Sequence, residues 1–328
     1  MSANKANHKK ITCFDCEKIG FEANKLFSND NHGFIHSVFK HAINSIISGN
    51  LITIFSKEDI GDWYGLNIKN VISFEGFFDD QDVNKQILVF KNNRLEIPHN
   101  NTVIDIKDCN YLYFPEFTNI SFSKIQLLQN LNSILEYLNN KYLKNTFFKN
   151  GTIVLNNLIS GIDSKKVTRK EYKCYINEFT IKALLGGLAN NNIEIVENNI
   201  EKTIGSGIGF TPSGDDFLYG FISIFWLTSN FFKINEKEFN ILKNSVIKYK
   251  HNTSLISQYL LLRAFNGKYS ETVHDFLQNI FQKHLSTSKL NDILSKLLQI
   301  GYTSGFDTLL GICTGVYYLI HGTYGADV

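Results

Sequence analysis

The least generic stretch of the chain is GSGIGFTPSGDDFLYGF, residues 205–221. Gly205, Gly207 and Gly209 free the backbone for positive φ and for close approach of a ligand, and Thr211-Pro212-Ser213 then opens a strongly apolar helical run. A glycine-rich loop at a helix start suits an anion, because unpaired amides and the positive end of the helix dipole converge there. Ser213 and Asp216 also have capping-box spacing, which is the plain structural reading of that pair. Asp215 falls outside that reading; general base, Mg²⁺ ligand and dipole complement all stay open for it.

The same grammar returns at residues 301–315, GYTSGFDTLLGICTG. Ser213–Gly220 and Ser304–Gly311 both read Ser-Gly-x-Asp-x-Leu-x-Gly, an internal repeat of a helix start. Thr211 and Thr303 precede the two serines. If the two helices cross near Gly220 and Gly311, their N-termini would face a shared pocket of amides, hydroxyls and carboxylates. A third hydroxyl-rich helix start lies between the repeats at His251–Ser257, where capping by Asn252 or Thr253 is the simplest explanation. It leads to Arg263, which could reach an anion or pair with a surface acid.

The candidate catalytic residues are therefore Asp215, Asp216 and Asp307. The candidate substrate- or phosphate-binding residues are Gly207, Gly209, Thr211, Ser213, Gly214, Thr253, Ser254, Ser257, Thr303, Ser304 and Gly305. A carboxylate pair alone does not specify a metal, so Mg²⁺ is possible but not required. No Walker lysine follows the glycines, which argues against a P-loop NTPase.

These residues must be held by the elements around them. Residues 51–55, 66–74, 87–90, 102–106 and 111–114 are short β-type runs separated by polar turns such as Asn92-Asn93 and His99–Asn101. Closely spaced strands without intervening helices predict an antiparallel sheet or small barrel and argue against a parallel dinucleotide fold. The spacing of Phe34, Val38, Ile43, Ile46 and Ile47 predicts a helix leading this region. Beyond Pro115, helical periodicity covers 120–143, 177–188, 237–250, 255–265, 271–282 and 290–300, with a strand-like TIVL at 152–155.

The expected fold is α+β: a polar leader (1–30), an antiparallel β-rich, barrel-like domain with a leading helix (31–120), and a mainly α-helical domain (121–328) carrying both motifs. Cys13-x-x-Cys16 in the leader has no second pair of hooks and reads as ordinary cysteine.

Composition narrows the classes of function. With 328 residues and 43% hydrophobic content the chain can bury one large or two modest cores. Lys+Arg 33 against Asp+Glu 31 gives no global pull toward nucleic acid or an anionic membrane. Arg94, Arg169 and Arg263 are the only arginines, so bidentate guanidinium clamps are scarce and any anion must be held locally. The longest apolar run, Leu218 to Phe232, is too short to span a bilayer and reads as a buried helix. Five cysteines, an odd number, without a signal-like start suggest a reducing cytoplasm.

At GIGFTPSGDDFLYG (207–220) and Thr303-Ser304-Gly305-x-Asp307 the sequence resembles the family of the AllH subunit of oxamate carbamoyltransferase. HGFIHSVF, LITIF and NTSLIS (252–257) are similar to further family elements, over residues 31–321 in all. Phe210 stands where the family has Leu, and Trp63-Tyr64 where Gly-Pro is expected. The resemblance implies a transferase subunit in anaerobic purine and allantoin degradation, interconverting oxalurate plus phosphate with oxamate plus carbamoyl phosphate. It implies small anionic substrates and FdrA-type and other carbamoyltransferase subunits as partners, with no nucleic acid and no membrane. Two other readings remain: a non-catalytic assembly subunit, and a Mg²⁺-dependent phosphoryl- or acyl-transfer enzyme using Asp215, Asp216 and Asp307.

Overall fold

A computed structural model describes residues 11–27, 31–56, 61–75, 86–112, 116–142, 148–160, 176–282 and 285–322. The chain divides into two compact units, Met1–Glu116 and Phe117–Val328.

The first unit is a mixed sheet of nine strands: β1 (Thr12–Gly20), β2 (Asn31–Val38), β3 (Ala42–Ile47), β4 (Asn50–Phe55), β5 (Gly65–Ile68), β6 (Ile87–Lys91), β7 (Arg94–Ile97), β8 (Thr102–Asp105) and β9 (Asn110–Leu112). Pairing of β1 with β5 closes the order β5-β4-β3-β2-β6-β7-β8-β1 into a ring, and β9 adds to β1. Closure removes the exposed edges of the ring. Two turns show why it forms. Ser48-Gly49 and Asn92-Asn93 have both residues at positive φ, the geometry of two-residue hairpin turns. The inward side chains, among them Ile19, Ile35, Ile43, Ile52, Ile54, Leu66 and Leu95, form one core.

The α+β expectation of a barrel-like, mainly antiparallel first unit followed by a mainly helical one holds, with β1 running parallel to β8 and β9, and β4 to β5, as the exceptions. Other expectations are corrected here. The predicted leading helix over 32–47 is the β2–β3 hairpin. A bulge between Ile35 and Ser37 breaks the strand alternation and imitates helical spacing. Ile35 and Ile47 are buried while Phe34, on the supposed helical stripe, is 44% exposed. The leader also yields in part, because β1 and the short helix α1 (Phe21–Phe27) belong to the barrel, with Cys16, Ile19, Ala23 and Phe27 in its core. Residues 1–10 lie outside the described residues. Cys13 is exposed and Cys16 buried, since three positions along a strand reverse the face. The Cys16 thiol lies against Cys109, not Cys13. The run at 66–74 is a strand only to Ile68, and residues 113 and 114 of the last run lie outside the described residues.

The second unit is helical: α2 (Lys124–Tyr142), α3 (Lys149–Ser160), α4 (Glu178–Ala189), α5 (Ile193–Thr203), α6 (Ser213–Leu227), α7 (Glu236–Tyr249), α8 (Leu255–Ala264), α9 (Glu271–Ile280), α10 (Thr287–Leu298) and α11 (Ser304–His321). TIVL is not a strand but the middle of α3. Gly151 seats that helix against the ring of Phe306, and burial overrides the β-branched preference. At the centre lie α6 and α11, apolar on nearly every face as fully buried helices are. Phe217, Phe221 and Phe225 line one side of α6, and Phe225 meets Tyr318 of α11. Among the described residues no helix is long and apolar enough to cross a membrane.

Candidate functional site

Glycine decides how α6 and α11 meet. A Cβ on Gly220 would stand 2.0 Å from the Thr308 carbonyl oxygen, and one on Gly311 would stand 1.9 Å from that of Phe217. Further along, a Cβ on Gly315 would meet Ile224. The two helices therefore run in the same direction, backbone against backbone, with both N-termini at one end. The crossing required for a shared pocket is present. Each helix start is also wedged against the helix before it: Gly214 abuts the Thr203 carbonyl at the end of α5, and Gly305 abuts the Leu297 carbonyl in the last turn of α10. The sequence repeat is thus a repeat of a whole helix–loop–helix unit.

The serines do not cap their own helices. Pro212 and Thr303 occupy the cap positions, and neither makes a side-chain capping bond. Ser213 and Ser304 sit in the first turn and interact crosswise, Ser304 with Asp216 and Ser213 with Asp307. Thr211 Oγ1 lies 3.3 Å from Ser304 Oγ, joining the two starts directly. The capping-box reading is overturned, because the serine hydroxyls are drawn to the carboxyl group of the opposite repeat. Two of the amides expected to be open are used internally: Gly214 N–H donates to Ser206 O and Gly305 N–H to Ile300 O. The mouth is therefore richer in hydroxyls than in open amides.

Two carboxyl groups sit at this junction. Burial pushes Asp216 up to about 8; hydroxyl hydrogen bonds from Ser304 and Thr211 oppose this, and the charge of nearby Asp307 reinforces it. Burial raises Asp307 to about 6, against hydrogen bonds from Ser213 and Thr303. Burial thus raises both carboxyls, Asp216 more than Asp307, in the direction that separates an acid from a base in proton-transfer sites. Asp216 is only 6% exposed, and its Oδ2 has no hydrogen-bond partner; neither has Asp307 Oδ2. Such an orphaned atom at a helix start calls for a ligand or water.

Asp215 has a different position from its neighbour. Its side chain accepts from Gly205 N–H at 2.8 Å and from the Thr253 hydroxyl, with Ser257 close by. Burial raises its pKa, and these bonds oppose the rise. Both carboxyl oxygens are thus spent on bracing the glycine loop and the start of α8 against α6. Ser254 both caps α8 through Ser257 N–H and donates to the Phe210 carbonyl. Thr253, Ser254 and Ser257 are consequently supports of the loop, while Thr211, Ser213, Thr303 and Ser304 converge at the mouth. Gly207 and Gly209 take φ of 127° and 110°, which side chains rarely adopt. Gly205, at φ 71°, is the position that sequence reasoning undervalued; its amide is what holds Asp215. Arg263 is buried on α8 with its guanidinium over Tyr259.

Among the described residues no group of three or more His, Cys, Asp or Glu side chains is placed to hold a metal ion.

Comparison with protein-family models assigns both units. The model for oxamate carbamoyltransferase subunit AllH matches residues 203–316, and the model for the AllH family N-terminal domain matches residues 16–111. The chain belongs to the AllH family. The first of these matches runs from the end of α5 through most of α11, so in this AllH-family chain it coincides with the paired repeats and the mouth between them. The second begins inside β1, in keeping with the place of that strand in the barrel. No solved structure matches this AllH-family chain.

Proposed function

We propose that the mouth between α6 and α11 is the carbamoyl-transfer site of an oxamate carbamoyltransferase, acting on oxalurate and phosphate within a larger assembly. The observation that carries this reading is the pair of partnerless carboxyl oxygens, Asp216 Oδ2 and Asp307 Oδ2, beside four hydroxyls at twin helix starts. Hydroxyls and helix dipoles suit phosphate and carboxylate groups.

In the forward direction a phosphate oxygen attacks the carbamoyl carbon of oxalurate, and the bond from that carbon to the oxamate nitrogen breaks. The ionised Asp307 takes the proton of hydrogen phosphate, and the protonated Asp216 gives its proton to the departing nitrogen. The products are carbamoyl phosphate and oxamate, with both charge and protons balanced. In the reverse direction the roles exchange, as microscopic reversibility demands. Asp215 acts as a positioning residue for the glycine loop. Family membership supports a role beside other subunits of the enzyme. The proposal includes FdrA-type chains among those subunits and a place in cytoplasmic purine and allantoin breakdown.

The test is ligand binding by the purified chain, followed by thermal shift with phosphate, carbamoyl phosphate, oxamate and oxalurate. A ligand at about 100 times its Kd adds roughly 2.7 kcal/mol. Carbamoyl phosphate or oxalurate should stabilise the chain, and Asp216→Ala should weaken that response. Equal responses of wild type and variant would move the site elsewhere.

A further inference from the structure

The Cys13-x-x-Cys16 spacing does not bring its own two thiols together, but β1 sets Cys16 against another cysteine. In the pairing of β1 with β5, Cys16 stands opposite Ile68 and Lys18 opposite Asn67, so Glu17 is an extra, bulged residue. On its other edge β1 runs parallel to β9, with Lys18 opposite Asn110 and Ile19 opposite Tyr111. With Glu17 bulged out, the residue one step before Asn110, Cys109, falls level with Cys16 and on the same face. Both side chains accordingly enter the barrel core, at 2% and 9% exposure. Neighbouring strands lie about 4.8 Å apart, inside the roughly 4.4–6.8 Å between Cα atoms that a disulfide spans.

The two thiols differ in a way that suits exchange. The Cys16 thiol donates to the Lys18 carbonyl at 3.2 Å, which fixes its sulfur inside the barrel. Cys109 sits in a turn closed by its own N–H on the Ile106 carbonyl, between exposed Asp108 and Asn110, where a small reagent can reach it. Contact with Cys16 draws the Cys109 thiol below its ordinary range, while the same contact and burial hold Cys16 above it. The thiolate that starts an exchange therefore forms first at Cys109. The strand beside it has little else to hold it: β9 is three residues long and pairs with β1 alone among the described strands.

We propose that Cys16 and Cys109 form a reversible disulfide that clasps β1 to β9 when the surrounding thiols are oxidised. The oxidant is a low-molecular-weight disulfide of the glutathione type. The Cys109 thiolate attacks one of its sulfurs, forming a mixed disulfide as a small thiolate leaves. Cys16 then attacks the Cys109 sulfur, and the second small thiolate leaves. Two electrons pass from the cysteines to the oxidant, and the two thiol protons end on the released small thiols. Excess small thiol runs the same steps backwards. The bond joins the first and last strands of the unit, 93 positions apart in the chain, and so restricts the unfolded state strongly.

The experiment has two arms, neither of which depends on the carbamoyl-transfer reading. In the first, the reduced full chain is incubated under native conditions with oxidised glutathione, alkylated in denaturant and digested without reduction. Mass spectrometry should find peptides joined through Cys16 and Cys109, and dithiothreitol should separate them. Both cysteines still open to alkylation, a lasting glutathione adduct on either, or Cys16 joined to Cys13 would overturn the proposal.

The second arm reads what the clasp does. The oxidised chain should melt at least about 5 °C above the reduced one, and the amides of β9 should exchange with solvent more slowly. Cys13→Ser should respond as wild type does, whereas Cys109→Ala and Cys109→Ser should lose both changes. A joined peptide without either change would overturn the clasp. A shift that survives in both Cys109 variants would assign the effect to another cysteine and overturn it as well.

Discussion

Substituting Gly220 by alanine puts the helix crossing under direct strain. The added Cβ would stand 2.0 Å from the Thr308 carbonyl oxygen and 3.1 Å from Ile312 N, both backbone atoms of α11. Regaining an ordinary contact of 3.4 Å requires the helices to separate by about 1.4 Å at their closest point. No side chain can yield in their place, so the cost belongs at the upper end of overpacking, about 3 kcal/mol. Alanine returns at most about 1 kcal/mol through its better helix propensity. The net loss is about 2–3 kcal/mol, or roughly 4–12 °C in melting temperature for a unit of this size. Gly186 in α4 supplies the internal control, because it is exposed and its Cβ would meet nothing within 4 Å. Gly186→Ala should be neutral or stabilising by up to about 1 kcal/mol. Scanning calorimetry with far-ultraviolet circular dichroism measures both. A Gly220→Ala variant that melts together with Gly186→Ala would refute the backbone-to-backbone crossing and the shared mouth built on it.

Other consequences concern the carboxyl groups. The folded-state pKa of Asp216 is about 8 against an ordinary 3.8, so between these values the folded chain holds a proton that the unfolded chain has released. Stability from this group therefore falls as pH rises from about 4 to about 8, by up to ~1.4 kcal/mol per unit. Asp216→Asn should flatten the urea-derived stability profile over that range; an unchanged slope would contradict the buried, raised carboxyl. Asp215→Ala strands the Gly205 amide and the Thr253 hydroxyl, a loss of about 2–3 kcal/mol. It should also open residues 205–212 to limited proteolysis, and wild-type resistance would deny Asp215 its bracing role. Oxalurate phosphorolysis by the assembled enzyme should follow a bell with limbs at about 6 and about 8, from Asp307 as base and Asp216 as acid. A rate that stays flat across both limbs would remove the pair from the chemistry.

The helical unit and the mouth are the parts most legible in the sequence, because their signals are local. Ser-Gly-x-Asp-x-Leu-x-Gly twice implied two equivalent helix starts, and the glycines at 220 and 311 marked where a crossing would join them. The partners of each side chain were not legible. Ser213 and Asp216 have the spacing of a cap, but the carboxyl that Ser213 meets belongs to Asp307, 94 residues away in the chain. Adjacent aspartates likewise look interchangeable in sequence. A helical turn of about 100° per residue sends Asp215 toward Gly205 and Thr253, and Asp216 toward Ser304. In the barrel, turns such as Asn92-Asn93 were readable through residue type. The β2 bulge disguised a hairpin as a helix, and parallel pairing of β1 with β8 joins strands about 90 residues apart that share no local signal.

The most direct measurement is carbamoyl phosphate formation from oxalurate and phosphate by the complete enzyme assembled with wild-type chain or with Asp216→Asn. General acid catalysis contributes about 10²–10⁴-fold. The variant should assemble normally and retain its substrate KM within a few-fold, while kcat falls by roughly 100-fold or more. Full kcat in an assembled Asp216→Asn enzyme would contradict a transfer site at the mouth between α6 and α11.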